Sequence, residues 1–139
     1  TLLAFEHIWE EKNILIDVDF EENIFVKTDK NFLEIVCNNL ISNALKFTEN
    51  GGKVFISCFK ENGFVSICIQ DTGCGISKET GKHIFEKFYQ GDTSHKEKGN
   101  GLGLALVKRI IDVLGAEISI NSELGKGSTF IIKIKLQKI

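Results

Sequence analysis

The chain has 139 residues of which 42% are hydrophobic, enough for one domain with a substantial core, and residues 1–139 are read as a single domain. A formal charge of −2, from 17 Lys and Arg against 19 Asp and Glu, supplies no general attraction for nucleic acid or a membrane surface, so binding partners must come from a local site. No apolar run approaches the roughly 20 residues of a spanning helix, no signal peptide is marked, and Cys37, Cys58, Cys68 and Cys74 lack metal-ligand spacing and sit mainly in apolar runs, so the expectation is a soluble fragment of a reducing, cytoplasmic compartment.

In chain order, Leu2, Phe5, Ile8 and Trp9 at helical spacing predict a short helix over residues 2–12, with Asn13 as its stop. His7 stands beside aromatics and is read as ordinary packing, since Ile8 and Trp9 rather than an acidic residue follow it. Ile14, Ile16, Val18 and Phe20 alternate with Leu15, Asp17 and Asp19, the period of a half-buried strand, and Ile24 to Lys27 is read as a second, short one. Thr28 and Asp29 then offer N-cap oxygens to a helix running from about Lys30 to Thr48, which the Asn50-Gly51-Gly52 turn ends.

That helix organises the chain. At about 100° per residue, Asn39, Asn43, Lys46 and Ile35 fall on one seam beside an apolar face of Leu33, Val36, Cys37, Leu40, Ile41, Ala44 and Phe47, with Leu45 intruding on the polar side. Asn is a poor helix former whose amide competes for backbone hydrogen bonds. Two of them one turn apart at a core edge ask either for a ligand or for hydrogen bonds to a neighbouring loop, and on this helix alone the second reading is the simpler.

Residues 53–60 and 64–71 are strand-like runs flanking Asn62-Gly63, whose tolerance of positive φ predicts an antiparallel hairpin. Val65, Ile67, Ile69 and Asp71 share one face of the second run, so a carboxylate ends an apolar file and needs a donor. In Asp71-Thr72-Gly73-Cys74-Gly75-Ile76 the glycines let the backbone approach whatever Asp71 holds, while a tight turn capped by its Asp is the plainer alternative.

An aromatic cluster at Ile84-Phe85-Glu86-Lys87-Phe88-Tyr89 is followed by Gln90 to Asn100, which contains no aliphatic residue. Such a segment cannot bury itself and is read as a mobile loop hinged at Gly91 and Gly99. It feeds Gly99-Asn100-Gly101-Leu102-Gly103-Leu104 and a helix to about Leu114, where bare N–H groups and the helix dipole suit a phosphate. The spacing is neither a P-loop nor a dinucleotide fingerprint. Gly115 stops the helix, a strand passes through Ile118 and Ile120, and a turn at Leu124-Gly125-Lys126-Gly127 leads into a strand from Ser128 to Leu136 with Phe130, Ile132, Ile134 and Leu136 as its apolar file. The elements predict an α+β fold, a two-layer α/β sandwich in which helices cover one face of a mixed, mostly antiparallel sheet.

These motifs stand in a known order. The asparagine box Asn39 to Phe47, the first glycine box Asp71 to Gly75, the phenylalanine box Phe85 to Tyr89, the second glycine box Gly99 to Leu104 and Gly127-Ser128-Thr129-Phe130 make the chain resemble the ATP-binding catalytic domain of sensor histidine kinases, within the wider gyrase, heat-shock chaperone and MutL family of Bergerat-type fold. The resemblance covers nearly the whole length. It implies that Asp71 binds the adenine amino group, that Thr129 lies near the base, that Phe47, Gly73, Gly75, Ile76, Phe85 and Tyr89 also bind the nucleotide, and that Asn43 supplies an oxygen to Mg2+. It further implies that Asn39 and Lys46 contact phosphates or their water, that Gly99, Gly101, Leu102, Gly103 and Leu104 face the phosphates, and that residues 90–100 are the ATP lid. Asn39, Asn43 and Lys46 are thus the implied catalytic set.

The family's hydrolytic members carry a glutamate where Asn39 stands, so the chain looks poorly equipped for ATP hydrolysis. Gln90 replaces a basic residue usual in relatives, and His95 and Lys96 replace a lid arginine. The implied function is to bind ATP and Mg2+ and to donate the γ-phosphoryl group to a histidine on a separate dimerisation domain, for relay to the receiver domain of a response regulator, in a parent protein anchored at the membrane. His7 does not suit the phosphoaccepting role. The alternatives are a non-catalytic nucleotide-binding module and a serine kinase of the same fold.

Overall fold

The structure, a computed structural model, describes residues 5–22, 29–77, 83–85 and 103–135. The expected strand at residues 24–27, Thr28, Tyr89, the loop from 90 to 100, Gly99, Gly101, Leu102 and Leu136 lie outside the described residues. In chain order the elements are α1 (Glu6–Glu11), β1 (Leu15–Phe20), α2 (Lys30–Phe47), β2 (Lys53–Glu61), β3 (Phe64–Asp71), α3 (Gly103–Leu114), β4 (Glu117–Glu123) and β5 (Gly127–Lys135). Among the described residues no helix is long and apolar enough to cross a membrane.

The strands form one sheet in the order β1-β2-β3-β5-β4, antiparallel except for the parallel β1-β2 pair. It is the expected mixed sheet. The β2-β3 hairpin turns through Asn62 and Gly63 at φ 49° and 82°, the positive values a two-residue hairpin loop requires. Strand alternation places Ile56, Ile69, Phe130 and Ile120 in one row across the sheet and Cys58, Ile67, Ile132 and Ile118 in the next. Against these rows α2 sets Val36, Leu40, Ile41, Ala44 and Leu45, and α3 sets Val107, Ile110 and Ile111, all buried.

The α2 ends follow their local chemistry. Asp29 Oδ1 accepts the Phe32 N–H at 3.1 Å as an N-cap. At the other end Lys12 Nζ donates to the carbonyls of Leu45 at 2.8 Å and Lys46 at 3.3 Å, placing a cation on the negative pole of the helix.

Three expectations change. Leu45 is fully buried, a member of the hydrophobic core rather than an intruder on a polar face. His7 is exposed, since α1 turns Phe5, Ile8 and Trp9 toward the core and leaves residues 6, 7 and 10 outside. The half-buried pattern of β1 holds at Ile14 and Ile16 but fades at Val18 and Phe20, which are exposed near the far end of this edge strand.

Candidate functional site

One row of the helix-facing side of the sheet is polar. Asp71 on β3 pairs directly with Ser128 on β5, and Ser128 pairs with Ser122 on β4. Strand pairing of this kind puts the three side chains on one face. Asp71 and Ser128 are each only 6% exposed, so this is a carboxylate taken out of water at the end of a core file, as the Val65-Ile67-Ile69-Asp71 alternation predicts. Its donors are backbone groups. The Gly73 N–H donates to Asp71 Oδ1 at 2.9 Å, which makes the expected Asp-capped turn. Burial pushes the Asp71 carboxyl above its ordinary value, and the N–H groups of Gly73 and Ser128 pull it partly back.

The glycines of this segment serve chain-to-chain contact. A Cβ on Gly73 would collide with the Phe47 carbonyl at the end of α2, and one on Gly75, at φ 74°, with the Glu123 carbonyl. The close approach inferred for a ligand is therefore taken up by the protein's own backbone. It also welds three motifs together: the glycine box packs on the asparagine helix through Gly73 and on the β4-β5 turn through Gly75, where the Gly125 N–H also donates to the Cys74 carbonyl at 2.8 Å.

On α2, Asn39, Asn43, Lys46 and Phe47 are all half-buried, as a seam between core and solvent requires. Asn39 Nδ2 donates to the Ile35 carbonyl at 2.8 Å. Its Oδ1 faces the first residue of α3, lying 3.0 Å from where a Cβ on Gly103 would be. The asparagine seam and the N-terminus of α3 thus meet although 64 positions separate residues 39 and 103. Lys46 Nζ lies 5.4 Å from the centre of the Phe47 ring. From Phe47, against the glycine box, to Asn39, against α3, the helix rises about 12 Å at 1.5 Å per residue. A ligand along this seam would meet a buried acceptor at one end and helix N–H groups at the other.

The remaining expected residues are placed as follows. Ile76, Phe85 and Leu104 are partly buried and pack against the core. Thr129, expected near the base, pairs with Gln70 and lies on the sheet face turned away from the helices. The β5 residue beside Asp71 is Ser128. Strand alternation is the reason: the apolar file Phe130, Ile132 and Ile134, continued back by two, reaches Ser128. The same extension of Ile118 and Ile120 finds Ser122, which sequence reading passed over.

On the α2 seam the side-chain oxygens available to a cation are those of the carboxamides Asn39 and Asn43. Among the described residues no cluster of three His, Cys, Asp or Glu side chains could hold a metal ion. The Asn39 and Asn43 oxygens suit Mg2+, a hard ion that takes oxygen ligands, keeps several waters and is commonly carried by substrate phosphates.

Comparison with known proteins agrees with this architecture. Residues 28–138 match the family described as histidine kinase-, DNA gyrase B-, and HSP90-like ATPase. The circadian input-output histidine kinase CikA of Synechococcus elongatus is 37% identical over 132 residues, covering 93% of this chain and 18% of that protein. The chain thus spans less than a fifth of the length of the curated relatives it matches. Among solved structures, the nucleotide-free catalytic domain of histidine kinase ThkA superposes with a TM-score of 0.83 at 27% identity over 96% of this chain and 86% of that one. ThkA in complex with the response regulator protein TrrA superposes with a TM-score of 0.77 at 27% identity, over 97% of this chain and 38% of that one. Full-length ShkA in complex with AMPPNP gives a TM-score of 0.84 at 28% identity, over 99% and 29% of the two chains. The five-stranded mixed sheet under its helices is the Bergerat fold, and the chain belongs to the histidine kinase-, DNA gyrase B- and HSP90-like ATPase family as an ATP-binding catalytic domain of the sensor histidine kinase type.

Proposed function

We propose that this domain binds ATP with Mg2+ along the α2 seam and presents the γ-phosphoryl group to a histidine on a separate dimerisation domain of its parent kinase. The observation that carries the reading is a buried carboxylate, Asp71, at one end of a helix seam whose other end, at Asn39, meets the N-terminus of α3. Asp71, whose carboxyl already accepts from the Gly73 N–H, accepts from the adenine amino group, and Ser128 is its direct partner across the β3-β5 ladder. Gly73, Gly75, Ile76, Phe47, Phe85 and Tyr89 bound the base.

Toward the phosphates, Asn43 offers its carboxamide oxygen to Mg2+, and the metal, when bound, neutralises charge on the phosphoryl oxygens. Asn39 and Lys46 contact the phosphates or their water. The N–H groups at Gly99, Gly101, Leu102, Gly103 and Leu104 meet phosphate oxygens at the positive end of α3, and residues 90–100 form the lid over them. Phosphoryl transfer asks mainly for positioning and charge neutralisation, which these groups supply. Asn39, a carboxamide where hydrolytic relatives have a glutamate, cannot act as a general base toward water, so the phosphoryl group is kept for the protein acceptor. Solved relatives bound to AMPPNP and to a response regulator support the nucleotide and the downstream receiver domain as partners. In this reading the parent is membrane-anchored, with this domain on the cytoplasmic side and touching neither lipid nor nucleic acid.

The test is to mix the chain with a separately prepared dimerisation domain and γ-labelled ATP. Acid-labile label on the histidine of that domain is the expected result. ATP binding without any transfer would make the chain a nucleotide-binding module, and acid-stable label on serine would make it a serine kinase.

A further inference from the structure

Ser122 lies outside every motif named so far, yet its hydroxyl is the junction of the polar row. The Ile76 N–H of the glycine box donates to Ser122 Oγ at 2.7 Å. The Gly127 carbonyl lies 3.0 Å from the same oxygen, and Ser128 Oγ lies 2.9 Å from it. A serine hydroxyl has one proton and two lone pairs. A carbonyl only accepts, so the Ser122 proton goes to Gly127; a backbone N–H only donates, so one Ser122 lone pair goes to Ile76. What Ser122 has left is a single lone pair, and the Ser128 hydroxyl must therefore be the donor in the Ser122-Ser128 contact.

The consequence falls on Ser128. With its proton spent on Ser122, Ser128 Oγ has only lone pairs to offer, on the same face as the carboxylate of Asp71, its direct partner across the β3-β5 ladder. Two acceptors side by side match a purine carrying an exocyclic amino group at that edge. A purine with a keto oxygen there would bring lone pairs against lone pairs, and buried polar groups left without partners are what gives hydrogen-bonding sites their selectivity.

We infer that Ser122 is a positioning residue that, by fixing the direction of the Ser128 proton and anchoring the glycine box at Ile76, sets the preference of the site for a 6-amino over a 6-keto purine nucleotide. This rests on the nucleotide-binding reading above. Removing the Ser122 hydroxyl frees the Ser128 proton to turn toward a keto oxygen while loosening Ile76, so ATP should lose more affinity than inosine triphosphate.

Calorimetric titration of ATP and of inosine triphosphate into the wild type, Ser122→Ala, Ser122→Cys and Ser122→Thr tests this, with a melting curve for each. The wild type should favour ATP. Ser122→Ala should bind ATP about tenfold more weakly, the worth of one to two hydrogen bonds, and inosine triphosphate nearly as before, so that the ratio narrows. Ser122→Thr, which keeps the hydroxyl, should restore the wild-type ratio. Ser122→Cys keeps the shape with a weak donor and acceptor and should narrow the ratio too, which answers the question if the alanine variant does not fold. An unchanged ratio in a folded Ala or Cys variant overturns the inference while leaving the ATP-binding reading in place. A wild type that binds neither nucleotide overturns that reading and this inference with it.

Discussion

The two ends of the α2 seam are built differently. At the Asp71 end, side chain and backbone interlock: Gly73 lies against the Phe47 carbonyl, Gly75 against Glu123, Gly127 at φ 110° against the Asp71 carbonyl, and Ser122 joins Ile76, Gly127 and Ser128. At the Asn39 end, the contact with α3 is a carboxamide oxygen facing a glycine. The first end is a rigid wall with no room for even a methyl group, assembled by the fold before any ligand arrives. The second brings two elements together at one close approach, where a Cβ on Gly103 would lie 3.0 Å from the Asn39 carboxamide oxygen. A site that must grip a base and release or transfer a phosphoryl group fits that division, since rigidity gives selectivity and the reacting end must change its contacts during the reaction.

Glycine substitutions should break this contrast most sharply. Gly75→Ala places a β-carbon at positive φ against backbone, which adds conformational strain to overpacking, so the nucleotide-free fold should lose about 3 kcal/mol in denaturant unfolding. Gly103→Ala meets only the end of the Asn39 side chain and gains helix propensity, so its stability should stay within about 1 kcal/mol of wild type. Equal losses at the two positions would erase the distinction between a rigid and an open end.

Asn43→Ala should lower transfer to the dimerisation domain by about a hundredfold or more, the scale on which a lost charge-stabilising group acts. ATP affinity measured without Mg2+ should change little, because the base end is untouched. If affinity falls equally with and without the metal, Asn43 holds the helix rather than the ion.

A smaller effect follows from pH. The buried Asp71 carboxyl titrates above its ordinary value, with burial as the main cause, so its protonated form favours the fold. That contribution is complete below the ordinary carboxylate pKa and is lost as pH rises through the raised one. Melting curves of the nucleotide-free wild type should therefore fall behind those of Asp71→Asn as pH rises through this window. ATP affinity should move the opposite way, rising as the carboxylate ionises and becomes the adenine acceptor. A stability gap that does not respond to pH would remove Asp71 as its source.

Much of this was legible in residue order. Asn62-Gly63 announced the hairpin because few residues accept positive φ, and the Val65-Ile67-Ile69-Asp71 alternation placed the carboxylate on the core side because one sheet face is dry. The Asn39-Asn43-Lys46 seam followed from helical periodicity alone. What escaped depended on partners far away in sequence. Leu45 read as an intruder on the polar side of α2, yet it joins the core cluster built by remote strands and α3. The resemblance named Thr129, and Ser128 was not singled out, since only the β3-β5 register ties the file through Phe130 and Ile132 to Asp71. The meeting of Asn39 with Gly103 is a tertiary contact that no local pattern encodes. The likeness of the motifs to a known order, rather than any one spacing, joined those pieces in advance.

The central claim is that the buried carboxylate at the rigid end receives the adenine amino group. Titration of ATP into the wild type and Asp71→Asn, with folding checked by circular dichroism, tests it most directly. Replacing the acceptor by an amide should weaken binding by about tenfold to a hundredfold, the worth of a charge-assisted hydrogen bond of roughly 1.5 to 3 kcal/mol. Equal affinity in two folded proteins would contradict the account and leave Asp71 as the cap of its own turn at Gly73.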